Sequence, residues 1–327
     1  MRLEERFFLH KKIRRAVVFC GSIKGMDKRT ELLESCMLCP RACGVDRLAG
    51  ETGYCGAGPG ARIARAALHH WEEPCISGAR GSGTVFFSHC SMGCAYCQNA
   101  AISSGQAGRE VGAERLSDMF LELQAQGAHN INLVTADHYL PQTLDALDMA
   151  KQNGLAVPVV YNCSGWQTEE TVRMLDGYAD VWLVDFKYWG DGPAARYSNA
   201  AGYANVAKRA LDLMLRQAGP PVTGPQGILQ RGVVVRHLVL PGQLEDSKAI
   251  ISYLYQAYGK DILLSIMSQY TPVPGVERFP GLSRAVTRAE YDELIDFAVS
   301  IGVEDAYIQE GGAAAESFIP PFDYTGV

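Results

Sequence analysis

The chain has 327 residues, of which 47% are hydrophobic and 20% are charged, and its formal net charge is −6. This composition is typical of a globular protein large enough for one sizeable domain with a small extension. The acidic balance argues against a general nucleic-acid binder, and no apolar run reaches the roughly 20 residues of a transmembrane helix. We therefore expect no nucleic-acid partner and no membrane span. We expect residues 14–20, which are basic and then apolar, to form a local element and not a signal peptide.

Cysteines are concentrated at one end of the chain. Nine of the ten fall within the first hundred residues, and only Cys163 lies beyond them. A secreted disulfide scaffold is usually small and cysteine-dense throughout, so this clustering favours metal ligation in a cytoplasmic protein. We predict a Cys-rich metal-binding segment over residues 1–75 and a larger domain over residues 76–327 that ends in an extended tail.

The first cysteine set consists of Cys36, Cys39, Cys43 and Cys55, spaced C-x2-C-x3-C-x11-C. Four thiolates among several glycines could wrap one tetrahedral zinc ion or hold an auxiliary iron–sulfur cluster. The spacing also suits a zinc-ribbon knuckle, which favours zinc. Disulfides are the alternative, and the cytosol disfavours them. Cys75 could be a ligand, a substrate-facing thiol or a buried residue, and the sequence does not decide among these.

From residue 84 onward, short β-rich apolar runs alternate with helical periodicity. The predicted strands cover residues 84–88, 131–135, 157–161, 181–186, 233–240, 262–267 and 305–308. Such alternation indicates an α/β fold with parallel strands covered by helices. Six or seven units predict a partial, TIM-like (β/α)6 barrel. A doubly wound sheet is the alternative, but no Gly-rich dinucleotide fingerprint follows the first strand.

The second cysteine set directly follows the first predicted strand. Cys90, Cys94 and Cys97 have C-x3-C-x2-C spacing. Three close thiolates can hold three irons of a cubane cluster, and without a fourth local cysteine one iron stays open to a small ligand. The alternatives are buried free thiols or a zinc site with His89 as fourth ligand.

This spacing resembles the signature of the radical S-adenosylmethionine (SAM) superfamily. The resemblance implies a partial-barrel fold and a [4Fe–4S] cluster on Cys90, Cys94 and Cys97. It also implies that SAM binds the open iron and is cleaved reductively to a 5′-deoxyadenosyl radical, which abstracts a hydrogen atom. The aromatic residue beside the last cysteine, Tyr96, matches a position that contacts adenine in this superfamily.

Further segments resemble the pyruvate formate-lyase activating enzyme family of radical SAM proteins, and the first cysteine set looks like its N-terminal motif. Asp185 and Lys187 match a D-x-K that contacts SAM at the end of a strand, and Arg236 opens a segment like R-x-x-V-x-P-G, whose arginine also meets SAM. A guanidinium suits a carboxylate because it donates two parallel bonds. The structural alternatives are a salt bridge that caps the strand and an arginine that pairs with an acidic helix.

Polar residues near two other strand ends are weaker candidates for cofactor contacts. Asn162 and Ser164 follow the third predicted strand, and Gln269 follows the sixth. Polar turn chemistry alone could explain both. Many relatives have a G-G-E-P segment that receives the amino group of SAM. This chain has residues 135–139 there instead, where Asp137 could substitute as the acceptor. His89 stands where relatives usually have Gly.

The resemblance implies an oxidoreductase of the radical SAM type, with an activase that makes a glycyl radical on a partner enzyme as the first option. A radical enzyme acting on a small molecule or peptide is the second, and an iron–sulfur electron carrier is the alternative from another class. Flavodoxin or ferredoxin is the electron donor that the resemblance implies.

Overall fold

The computed structural model of the chain describes residues 22–309 and 319–327. The local element predicted over residues 14–20 lies outside the described residues. Within them, ten strands form one sheet. In chain order, the strands are β1 (Ala61–His69), β2 (Ser82–Phe87), β3 (Arg109–Val111), β4 (Ile131–Val134), β5 (Val159–Cys163), β6 (Val181–Asp185), β7 (Val222–Thr223), β8 (Leu229–Leu238), β9 (Leu263–Met267) and β10 (Ala306–Ile308).

Seven of these strands are parallel and stand in the sheet in their chain order, β2-β4-β5-β6-β8-β9-β10. Because each crossover is expected to be right-handed, steady progression in one direction puts the connecting helices on one face of the sheet. A doubly wound sheet would instead reverse its order at a switch point. The sheet that the described residues form does not close, so the predicted partial barrel is confirmed and the doubly wound alternative is wrong.

Two antiparallel strands extend the sheet beyond β2, and the sequence pattern did not indicate either. Strand β1 pairs with β2 on one side and with β3 on the other. Residues 324 and 325 continue the pairing along β1 where β3 stops, since Ala66 N donates to Thr325 O at 2.9 Å and Tyr324 N donates to Ala64 O at 3.1 Å. The predicted tail thus covers an edge that would otherwise expose unpaired backbone groups.

The α-helices of the described part are α1 (Ser22–Glu34), α2 (Pro74–Ser77), α3 (Ala100–Ser103), α4 (Ala113–Ala125), α5 (Leu140–Gln152), α6 (Glu169–Met174), α7 (Asp191–Ser198), α8 (Tyr203–Ala218), α9 (Leu244–Tyr258) and α10 (Arg288–Ser300). Local signals explain several of them. Helix α4 buries its predicted stripe of Leu116, Met119, Phe120 and Leu123, and each such side chain contributes about 1.5–3 kcal/mol on burial. Helix α10 begins with the predicted capping box of Thr287 and Glu290.

Helix α2 closes the amino-terminal end of the half-barrel. Its residues Cys75 and Ile76 are buried in one cluster with Val160, Val181 and Leu229, which lie at or next to the amino ends of β5, β6 and β8. The opposite, carboxyl ends of the parallel strands carry the loops with the predicted site residues. This is the end at which barrels of this kind usually build their active sites.

Candidate active site

One cavity of about 460 Å³ lies inside the half-barrel, between the loops at the carboxyl ends of the strands and α2. Its lining includes all ten residues predicted for the cluster and for SAM, namely Cys90, Cys94, Cys97, Tyr96, Asn162, Ser164, Asp185, Lys187, Arg236 and Gln269. Strands distant in sequence bring these residues together. Their roles as ligands and cofactor contacts stay predictions.

The loop after β2 carries the three cysteines. Cys90 Sγ accepts from Met92 N at 3.4 Å, and Cys94 Sγ accepts from the Ser198 hydroxyl at 2.9 Å. Burial and the neighbouring Cys94 and Cys97 together raise the pKa of the Cys90 thiol to about 12. Three such thiolates can be ionised together only beside a cation. Three soft donors that open onto a cavity much larger than one ion fit an iron–sulfur cubane.

His89 is not placed to complete a zinc site with these thiols. Its Nδ1 lies 2.9 Å from Cys55 O, and its Nε2 lies 3.5 Å from an Arg62 nitrogen. The ring packs against His138 and Tyr139 and does not line the cavity. In the described part of the chain, no three His, Cys, Asp or Glu side chains converge tightly enough to hold a single metal ion.

A network of charged side chains forms one wall of the cavity. Asp185 accepts from Arg236 Nε at 2.8 Å and from Lys187 Nζ at 2.7 Å. The other two guanidinium nitrogens of Arg236 also donate: Nη1 to Glu72 Oε2 at 2.9 Å and Nη2 to Asn162 Oδ1 at 2.8 Å. Burial alone would raise the pKa of Asp185, but the two cations outweigh it and hold that pKa below its usual range. The network can therefore present fixed charges of both signs to a zwitterionic ligand.

An aromatic wall lies beside the cysteine loop. The Tyr188 hydroxyl donates to the Tyr96 hydroxyl at 2.8 Å and lies 2.6 Å from Ser198 Oγ, which in turn donates to Cys94. The Tyr96 ring also makes an edge contact with Tyr270, with ring centroids 6.1 Å apart. These contacts fix one face of Tyr96 and leave an apolar surface at the cavity, as a planar base would require.

Sequence reasoning missed two carboxylates that the structure brings into the cavity. Glu72 and Glu73 precede α2, and both line the cavity beneath the Arg236 network. Glu72 Oε1 accepts from Asn132 Nδ2 at 3.0 Å and from Asn162 Nδ2 at 3.2 Å. The only signal in the sequence was two adjacent acids before a proline, which would equally suit an exposed helix start.

Several weaker predictions need correction. Asn162 lies within β5, which extends two residues beyond the predicted end, and does not follow that strand. Asp137 is fully buried, faces Tyr161 and Gln167, and does not line the cavity. It is thus not placed to receive an amino group of SAM. The buried thiol of Cys75 hydrogen-bonds to Tyr307 below the cavity, and burial raises its pKa to about 11.

The first cysteine set forms a separate group outside the cavity. Cys36 and Cys39 are buried, Cys55 is half-buried and Cys43 is exposed. Burial and the other three thiols of the set raise the pKa of Cys39 to about 12, against the opposing effect of a backbone hydrogen bond. A Cβ at Gly53 would lie 2.7 Å from Cys43 Sγ, so the turn requires glycine there. None of the nine cysteines in the described residues forms a disulfide.

This set is attached to the second cysteine loop through Arg41. Its guanidinium donates to Ser91 O at 3.0 Å and to Met92 O at 3.3 Å, and stacks 3.8 Å from the Tyr54 ring centroid. It also donates to the Asn199 carbonyl and to Ser198 O at the end of α7. The two cysteine sets are therefore parts of one packed unit.

A sequence model of the radical SAM superfamily matches residues 84–254, which are 171 of the 327 residues. The chain therefore belongs to the radical SAM superfamily, as predicted, and is an enzyme. Membership implies a [4Fe–4S] cluster and SAM as its cofactors. No helix in the described residues is long and apolar enough to cross a membrane.

The uncharacterized protein MJ0674 of Methanocaldococcus jannaschii is 25% identical over 282 residues, which are 84% of this chain and 78% of that protein. Among solved structures, a domain of pyruvate-formate lyase-activating enzyme from Bacteroides vulgatus is 11% identical with a TM-score of 0.38, covering 53% of this chain and 92% of that one. HydG, a maturase of the [FeFe]-hydrogenase, is 13% identical with a TM-score of 0.46, and Streptococcus suis SuiB bound to SAM is 8% identical with a TM-score of 0.42. These two matches cover 70% and 71% of this chain but only 52% and 48% of theirs. Likenesses this distant carry no functional conclusion.

Proposed function

We propose that this chain cleaves SAM reductively and abstracts a hydrogen atom from a substrate inside the half-barrel, as an activase that forms a glycyl radical on a partner protein. The observation that carries the proposal is the convergence of three cysteines and seven predicted cofactor contacts on one cavity. When bound, the cluster and SAM supply a 5′-deoxyadenosyl radical. The protein supplies ligation, orientation and the exclusion of water.

The side chains of this chain divide these tasks. Cys90, Cys94 and Cys97 hold the cluster, and their number leaves one iron without a protein ligand. Asp185, Lys187 and Arg236 offer charges of both signs to the amino and carboxylate groups of SAM. Because these residues already bind one another at 2.7–2.8 Å, SAM has to enter an ordered network and exchange partners within it.

Tyr96 offers its buried ring to the adenine base, held by Tyr188 and Tyr270. Ser198 donates to Cys94 Sγ, and such a bond favours the thiolate over the thiol. Ser198 lies at the end of α7, where its carbonyl accepts a hydrogen bond from Arg41. The packing of the first cysteine set therefore helps to position the residue that donates to the Cys94 thiol. We propose that the first set holds a metal of its own, either zinc or an auxiliary iron–sulfur cluster, and that its thiols draw together around the metal, since in the described structure they do not converge on a single-ion site.

Two features support the activase assignment over other radical reactions. The segments around Asp185 and Arg236 match the pattern of the activating enzymes, and the sheet of the described residues is open on one side, where a loop of another protein can enter. Flavodoxin or ferredoxin is the proposed electron donor. The second candidate is a reaction on a small molecule or peptide, which the closed floor formed by α2 and the two glutamates favours.

An electron carrier would make no use of the Asp185–Lys187–Arg236 network or of Tyr96. Anaerobic reconstitution with iron and sulfide, followed by reduction with SAM, separates the classes. We expect 5′-deoxyadenosine from the reconstituted protein, and a stable electron paramagnetic resonance doublet on a glycyl radical enzyme encoded nearby. A protein that binds the cluster and shuttles electrons but leaves SAM intact would overturn the proposal.

A further inference from the structure

Glu73 is held inside the half-barrel by the helix that follows it. Pro74 begins α2, whose Cys75 and Ile76 are packed against the amino ends of the parallel strands. The backbone carbonyl of Glu73 accepts from Ile76 N at 2.8 Å and from Ser77 N at 3.0 Å, which fixes the residue at the first turn. Its side chain therefore has little freedom to leave the cavity floor.

The other charged groups of the floor are already paired. Glu72 bonds to Arg236, Asn132 and Asn162, and Arg236 uses its remaining nitrogens on Asp185 and Asn162. Lys187 is paired with Asp185. Among the described residues, the hydrogen bonds of Arg236 and Lys187 go to these partners and not to Glu73, although the charge of Arg236 acts on Glu73.

Glu73 is the exception among these groups. It is 9% exposed and lines the cavity, yet its Oε2 has no hydrogen-bond partner among the described residues, where the carboxyl group lies within bonding reach only of Ser265 and of its own backbone N–H. Burial, together with the neighbouring Glu72, raises the pKa of this carboxyl group against the opposing effect of Arg236. An unpaired buried carboxylate is costly, so its retention at a cavity wall calls for a partner that arrives with a ligand.

We propose that Glu73 receives a cationic group of the substrate, an amine or a guanidinium, at the floor of the cavity. This inference rests on the proposed function, since it assigns the substrate to the space beneath the SAM network. A cation would give Glu73 Oε2 a hydrogen-bond donor. It would also balance the negative charge of Glu73, which no cation of the paired network neutralises. The cation could belong to a small molecule or to a lysine or arginine side chain of a polypeptide.

Ligand-observed NMR on the reconstituted, unreduced holoenzyme with saturating SAM tests this proposal. The probe is butylguanidinium, and butylurea is its neutral counterpart of the same shape. We expect butylguanidinium to bind about tenfold more tightly than butylurea, a difference of about 1.4 kcal/mol. Glu73→Gln should abolish this preference, and Glu73→Asp should retain part of it.

The exposed Glu277→Gln is the matched control and should keep the preference. Equal binding of the two probes to the wild-type holoenzyme would overturn the proposal. So would a Glu73→Gln variant that folds, by its thermal unfolding curve, and still prefers the cation. Loss of butylguanidinium binding when SAM is added would likewise overturn it, because Glu73 would then serve SAM itself.

A second arm identifies the source of the cation. Acetyl-Gly-Arg-Gly-amide is compared with the peptide in which citrulline replaces arginine. If the cation arrives on a polypeptide, the arginine peptide should bind more tightly than butylguanidinium, and if it arrives on a small molecule it should not. Formation of 5′-deoxyadenosine is measured on the same preparation after reduction. Its absence would count against the proposed function, whereas the probe preference bears on Glu73 alone.

Discussion

Arg41 donates to the backbone carbonyl of Met92, at 3.3 Å, and so joins the first cysteine set to the loop that carries the second. Arg41 lies between Cys39 and Cys43, and Met92 lies between Cys90 and Cys94. Tyr54, which precedes Cys55, donates its hydroxyl to the same carbonyl at 3.3 Å. The two parts of the first cysteine set, around Arg41 and around Tyr54, therefore both bind the carbonyl of Met92 in the second cysteine loop.

Arg41→Ala should release this loop. The guanidinium makes four hydrogen bonds to carbonyl groups, and a hydrogen bond that involves a charged group makes a net contribution of about 1.5–3 kcal/mol. We expect a lower melting temperature and less than half the wild-type iron content in the barrel site after reconstitution. Arg216→Gln, at an exposed position of α8, is the control. Unchanged iron content in Arg41→Ala would show that the loop is ordered without it.

Cys39→Ala should remove the metal of the first set and leave the radical cluster in place. Because Cys39 is buried and its neighbours are the three other thiols, its loss leaves a cavity and an incomplete ligand set. We expect reduced solubility, while the cluster absorbance of the second set is retained. Metal analysis of a variant that lacks Cys90, Cys94 and Cys97 identifies the remaining ion. If that variant carried no bound metal, the proposed metal site on the first cysteine set would be contradicted.

Arg236→Lys should weaken SAM binding without unfolding the protein. Lysine keeps the positive charge between Asp185 and Glu72, but it cannot donate in parallel from a planar fork. We expect the dissociation constant for SAM, measured by equilibrium dialysis, to rise about tenfold or more. Arg236→Ala should unfold far more readily, since it leaves buried carboxylates unpaired at a cost of about 3–5 kcal/mol. Equal SAM affinity in Arg236→Lys would remove this residue from the binding site.

Asp137→Asn should stabilise the protein in a pH-dependent way. Burial raises the pKa of Asp137 to about 6, above its ordinary value of 3.8, so the folded state binds the proton more tightly than the unfolded state. The wild-type protein therefore loses stability as the pH rises from about 4 through 6, by up to about 3 kcal/mol. Asparagine carries no such charge. The difference in melting temperature between variant and wild type should grow over this range, and a constant difference would contradict the assignment.

Much of the fold could be predicted because the parallel strands are buried on both faces. Strand β6 was predicted over residues 181–186 and runs from Val181 to Asp185. Continuous Val, Ile and Leu runs make such strands recognisable without knowledge of their partners. Strand β1 was missed because it is rich in alanine and arginine, and its burial depends on β2, β3 and the distant chain terminus.

The same distinction applies to the candidate site. The cysteine loop, Asp185, Lys187 and Arg236 carry their chemistry in local motifs, and their strands deliver them to one end of the sheet. The position of Glu72 and Glu73 depends on how α2 packs under three strands more than eighty residues away in sequence. Asp137 shows the converse case. Asp137 lies near a strand end, but its side chain is buried beside Tyr161 and does not face the cavity. The local sequence does not indicate which way this side chain points.

The central claim is that three neighbouring thiols hold a cluster that cleaves SAM, and the most direct measurement is 5′-deoxyadenosine formed per chain by the anaerobically reconstituted, reduced protein. We expect turnover in the wild type and none in Cys94→Ala, whose brown chromophore from the barrel site should also be lost. Cys75→Ala, at a buried thiol outside the cavity, should retain turnover. Full SAM cleavage by Cys94→Ala, or none by a wild-type protein that carries its cluster, would contradict the claim.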